Sequence, residues 1–251
     1  MKRLVIIGHS IRQEKIIISD GKKLKIAFDR LKGESHNEDP YIWAPRFIYT
    51  FCHGNISLKK EYINSKDSIY YVFVARKKGD SELFIIDTVI KQDFTINWPQ
   101  KGTRTTNSIK RSLMEAFINH GIKLSNVEVQ DIIDHHFPKI ENDNKILSEH
   151  DRKILFSAVG TKDSFLPLEK SESNNYYGSV ILPRDYSEKV KSLITAKGNH
   201  AFYPITDGDN RLQDKLLKDY GQLKSYIFDN IICNDNIIKV YAENLSRSGI
   251  K

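Results

Sequence analysis

Apolar positions in the first hundred residues recur in the short runs of β-strands. Leu4 to Ile7 is an apolar run that opens the chain. Lys15–Ser19 and Lys22–Phe28 flank Asp20-Gly21. That dipeptide suits the two positive-φ positions of a type I′ turn, so the stretch predicts a hairpin. Arg46–Cys52 predicts a further strand. Ser68–Ala75 is nearly all β-branched or aromatic and predicts a central one. The charged turn Arg76-Lys77-Lys78-Gly79-Asp80 joins it to Glu82–Lys91.

The period lengthens near residue 100. Ile109, Leu113 and Phe117 follow a Thr106/Asn107 cap and end at Gly121. Ser148-x-x-Asp151 resembles a capping box ahead of Ile154, Leu155, Ala158 and Val159. Asp185-Tyr186-Ser187 starts a helix with Val190, Leu193 and Ile194, stopped by Gly198. Asn210–Tyr220 is a fourth helix, with Gly221 after it. Tyr226–Ile232 and Ile237–Tyr241 predict a closing hairpin. The expected class is α+β: a β-rich N-terminal half, a helical C-terminal half and a terminal β-hairpin. The division falls at 1–100 and 101–251, as two regions or one continuous domain.

Composition narrows the function classes. Hydrophobic residues make up 39% of the 251, enough for a core and too many for a disordered chain. No apolar run approaches the roughly 20 residues of a membrane span. The opening MKRLVIIGHSIR reads as a strand and not as a signal peptide. Cys52 and Cys233 cannot form a disulfide framework, so a reducing cytoplasm is expected. The net charge is +7. The basic groups Lys22-Lys23-Lys25, Lys59-Lys60, Arg76-Lys77-Lys78 and Lys101 to Arg111 all precede residue 112. Clustered positive charge predicts a polyanion partner, because phosphate neutralisation releases counterions.

Chemistry has fewer signals. Phosphate-binding glycine loops, HExxH, CxxC pairs, GxSxG and kinase signatures are all missing, so neither metal nor cofactor is expected. Asp39–His53, DPYIWAPRFIYTFCH, holds Tyr41, Trp43, Phe47, Tyr49 and Phe51 together with Arg46 and His53. Aromatic faces stack on nucleobases, and Arg binds phosphate or stacks. Phe47, Tyr49 and Phe51 also alternate as one strand face, which is the pattern of a core. Asp87 interrupts the apolar run ELFIIDTVIK, and period 2 groups it with Ile85 and Val89. A carboxylate in such surroundings is a candidate base or base-recognition group. Its four-residue distance from Lys91 does not fit a PD-(D/E)xK nuclease. Gly8-His9-Ser10-Ile11-Arg12 ends the first strand with polar groups suited to a cleft or a turn. Asp207, Asp209 and His135-His136 are the residues available to a metal-dependent nuclease.

Ser65–Trp98, with two apolar strands joined by a short charged turn, resembles PUA-like domains of the EVE and ASCH type. Lys66-Asp67 stands where those domains carry Gly-Asp. Tyr41–His53 resembles nucleotide-modification-associated domains of bacterial and phage DNA-modification systems. The resemblance implies a PUA-like mixed sheet or barrel and recognition of a modified or flipped base. Related defence systems against phage contain glycosylases that excise modified bases.

The expected function is a DNA glycosylase that extrudes a modified base into an aromatic pocket, at a cost of a few kcal/mol. Asp87 or Asp39 would stabilise an oxocarbenium-like sugar or orient water. His53 or His9 would assist the leaving base. Tyr41, Trp43, Arg46, Tyr49, His9 and Ser10 would hold it. Arg12, Arg76, Lys77, Lys78, Arg104, Lys110 and Arg111 would contact phosphates. A non-catalytic reader of modified nucleic acid and a metal-dependent nuclease are the alternatives. RNA stays open beside DNA.

Overall fold

In a computed structural model, the described residues are 2–9, 13–29, 41–43, 46–51, 67–99, 104–136, 156–171, 175–196, 204–207 and 212–247. The strands are β1 (Lys2–His9), β2 (Gln13–Ser19), β3 (Lys22–Asp29), β4 (Tyr41–Trp43), β5 (Arg46–Phe51), β6 (Ser68–Lys77) and β7 (Asp80–Asn97), followed by β8 (Phe156–Gly160), β9 (Phe165–Lys170), β10 (Tyr177–Ile181) and β11 (Ile238–Tyr241). The helices are α1 (Thr106–Ile118), α2 (Asn126–His136), α3 (Arg184–Ala196), α4 (Asp214–Ile227) and α5 (Ala242–Arg247).

The eighteen-residue β7 organises the sheet. It runs antiparallel to β6 and meets β10, β9 and β8 in succession along its length. β1 joins β6 in parallel, β8 carries β5 and β4, and β10 leads to the β2–β3 hairpin. The result is a mixed α/β fold around a strand-rich sheet curled into a half-barrel. Its inner face is filled by Val5, Ile7, Phe47, Tyr49, Tyr71, Phe73, Ile90, Phe156 and Leu166, among others. One outer face is covered by α3 and α4, through Val190, Leu193, Tyr220, Leu223 and Ile227 against Leu4, Ile6, Phe84 and Ile86. The other is covered by α1 and α2, through Ile109, Leu113, Phe117 and Ile132 against Trp43, Ile48, Phe94 and Ile96.

The Asp20-Gly21 hairpin forms as expected: both residues have positive φ, and Ser19 pairs with Lys22. Lys78 and Gly79 turn β6 into β7, with Gly79 at φ +85°. Two expectations are corrected. Ala158 and Val159 lie in strand β8, not in a helix; all five of its residues are buried, and full burial removes the alternation that marks a strand. The terminal β-hairpin is not formed. α4 runs through Gly221 and continues as a π-helical turn, Phe228–Ile232. Tyr220, Leu223, Ile227 and Ile231 share one buried face at helical spacing, which overrides the β-prone composition. β11 then pairs with β9. The change of texture near residue 100 marks the entry of helices, while β8–β11 join the same sheet as β1–β7.

Candidate functional site

A register break gives the sheet a buried carboxyl group. Phe73 faces Thr88 and Val74 faces Ile86, which leaves Asp87 as the extra residue of a β-bulge. The bulge reverses the alternation of β7. Phe84 and Ile86 point to the helix-covered face before it, and Val89 points there after it. Asp87 therefore turns inward, towards β1. His9 ends β1 opposite Ala75, a small residue that leaves room over β6. His9 Nε2 lies 2.8 Å from Asp87 Oδ2, with both side chains fully buried. Thr88 Oγ1 donates to Asp87 Oδ1 at 2.9 Å. The Phe73 ring centroid is 6.2 Å from that of His9, and Tyr49 meets Phe73 edge-on at 4.9 Å.

His9, Ala75, Ile85 and Ile181 form one row across four adjacent strands. Ile85 and Ile181 at the end of that row line a groove of about 660 Å³. β10 meets β3 at Tyr177↔Leu24 and pairs with β7 from Val180 onward, so the groove occupies the parting between β3 and β7. Lys25, Lys77, Lys78 and Lys170 line it. An adjoining hollow of about 710 Å³ shares Lys25, Lys170 and Tyr176 and adds Lys22, Lys23 and Tyr177. Six lysines thus converge from β3, the β6–β7 turn and β9. Two glutamates stand among them, and both are engaged. Glu14 pairs with Lys25 at 2.5 Å, and Glu169 Oε1 accepts from the Ile181 amide at 2.8 Å. Lys25 Nζ lies 5.5 Å from the Tyr176 ring centroid. A Cβ at position 178 would sit 3.3 Å from Tyr176 Cε2, so Gly178 lets that ring lie along the strand.

The remaining expected site residues scatter. Tyr41 and Trp43 lie on the opposite layer, against α1 and α2. The Tyr41 hydroxyl donates to Asp131, and burial followed by that bond holds the phenol protonated well above its usual range. Trp43 is buried edge-on against Phe117. Arg46 pairs with Asp93. Asp93 is the extra residue of a second bulge, between Gln92 and Phe94. Tyr49 is buried inside the half-barrel, so Tyr41, Trp43 and Tyr49 do not form one aromatic pocket. Arg104 is buried and its Nε donates to the Pro99 carbonyl, which removes it from any solvent-facing phosphate surface. Arg76 reaches the Ser81 carbonyl, and Lys110 and Arg111 lie on α1. Asp207 is exposed and pairs with Lys224 at 3.6 Å. Asp39, His53, Ser10, Arg12 and Asp209, and the side chains of His135 and His136, lie outside the described residues. Among the described residues no cluster of His, Cys, Asp and Glu has the geometry to hold a metal ion, and no helix is long and apolar enough to cross a membrane.

Lys170, Tyr176 and Tyr177 escaped the sequence reading. The Tyr-Tyr pair after the polar stretch SESNN was the available signal. No family model, curated protein or solved structure matches the chain.

Proposed function

We propose that this protein binds nucleic acid along the lysine-lined groove and reads a base there. The observation that carries the reading is the convergence of six lysines on the groove and its adjoining hollow, where among the described residues two glutamates stand, both engaged. Six ammonium groups against two carboxylates leave the recess net positive, and a net-positive concave surface attracts phosphates and releases their counterions. The resemblance of Ser65–Trp98 to EVE and ASCH domains supports the same reading, since those domains recognise modified or flipped bases.

Fluorescence anisotropy with a labelled oligonucleotide between 50 and 200 mM salt tests it. Binding should weaken steeply with salt. Lys77→Glu with Lys78→Glu should lower affinity about tenfold or more and flatten the salt slope by about 2. An unchanged slope in that variant overturns the reading.

Base excision is the second reading; it would use the carboxylate that the bulge turns onto His9, which lies fully buried, so it requires the sheet to open at that point. Strand breaks appearing only after alkali treatment of incubated modified DNA would support it. Asp87→Asn should then abolish the breaks and retain binding; intact DNA with the wild-type protein leaves the groove as a reader.

A further inference from the structure

The α3–α4 pair covers the outer face over β1, β6, β7 and β10, and among the described residues its core takes none from β2 or β3. The outer face of that hairpin therefore meets solvent. Ile17, Leu24 and Ile26 point into the half-barrel, so Ile16, Ile18, Lys23 and Lys25 point out. Ile16 is 53% exposed and Ile18 76%. Register sets Ile16 opposite Lys25 and Ile18 opposite Lys23. Directly opposed residues share a face, so an apolar rail runs beside a basic rail, each with about 6.8 Å between successive side chains. Ile16 also lines the hollow that holds Tyr176 and Lys170.

We infer that the hollow and the exposed hairpin face beside the groove take single-stranded nucleic acid, with bases laid on Ile16, Ile18 and Tyr176 and phosphates on Lys23, Lys25 and Lys170. The inference rests on the nucleic-acid reading above and narrows its substrate class. A duplex hides its base faces inside the stack and offers the apolar rail nothing. A single strand presents phosphates and base faces side by side, as the two rails require. An anionic membrane has the right charge but a broad surface. It would meet the exposed rails but leave Lys77, Lys78 and Lys170, which line the recess of about 660 Å³ beside them, without a partner.

The test compares four probes with the full chain: oligothymidylate, an abasic strand of equal length, a duplex of equal length, and vesicles of phosphatidylserine and phosphatidylcholine. Oligothymidylate should bind about tenfold or more tighter than the abasic strand, and tighter than the duplex. Ile16→Ser with Ile18→Ser should remove most of that difference and leave abasic binding and its salt slope unchanged. Both positions are exposed, and circular dichroism checks that the variant folds. Equal binding of oligothymidylate and abasic strand, or a preference for duplex, overturns the single-strand inference and leaves the nucleic-acid reading standing. Absence of salt-sensitive binding to every nucleic-acid probe overturns that reading too. Vesicle binding lost in the isoleucine variant assigns the face to lipid. A dimer-to-monomer change in light scattering with unchanged oligonucleotide binding assigns it to a second copy.

Discussion

Asp87 shows how a correct expectation can rest on an incomplete reason. Period 2 grouped it with Ile85 and Val89 and so predicted burial. It is 2% exposed, yet Val89 points to the opposite face because the bulge intervenes. A bulge leaves no mark in composition, since it depends on which partner residue each amide meets. The buried pair it creates has a measurable signature. Removing one member of a buried polar pair leaves the other without its partner, at a cost of about 1–3 kcal/mol and more where that group is charged. Asp87→Leu and His9→Leu should each lower urea-unfolding stability by about that amount, and the double variant by clearly less than their sum. Strict additivity would show that the two side chains are not coupled. Phe47 and Tyr49 followed their alternation into the core, whereas Tyr41 and Trp43 went to a different layer. The sequence carried the aromatic density of this segment but not the parting of its rings between two faces of one sheet.

Local chemistry was most legible in elements with strong end signals. Asp20-Gly21 behaved as its residues dictate, and a helix does start at Thr106, although its cap is one residue earlier than the expected Thr106/Asn107. Thr105 is the N-cap and Ser108 completes the reciprocal bonds. α2 was missed although Ser125-Asn126-Val127-Glu128 is a capping box whose bonds all form. Its weak amphipathic pattern, with Val127 78% exposed, concealed it. Gly221 was read as a stop and lies inside α4, exposed, with nothing within 4 Å of where a Cβ would be. Glycine in a helix interior costs about 1 kcal/mol relative to alanine. Gly221→Ala should raise the melting temperature by about 2–4 °C for a chain of this size. No gain in a thermal scan would mean that another interaction offsets the helix propensity.

At the scale of the molecule, the architecture depends on pairings between distant segments, such as β10 with β3 and β11 with β9. Such pairings are set by how the curled sheet closes over its inner core, and no local window encodes them. They also assembled the groove, because Lys170 and Tyr176 reach Lys23 and Lys25 only through β10. Backbone pairing is uneven across the sheet. β7 is bonded along most of its length to β6 and meets three further strands, whereas β2 pairs with β3 alone among the described strands. Hydrogen exchange should therefore find the slowest amides in β6 and β7 and markedly faster exchange in β2. Equal protection across these strands would contradict that distribution of stability.

The bulge carries one more consequence. With residue 87 struck out, Phe84, Ile85, Ile86, Thr88, Val89 and Ile90 alternate without a break, and Phe84, Ile86 and Val89 fall on the same side. Neither packed layer needs the eighty-seventh residue. Asp87 is an interpolation in a strand that would close its cores without it, and its carboxyl group meets His9 through one oxygen and the Thr88 hydroxyl through the other.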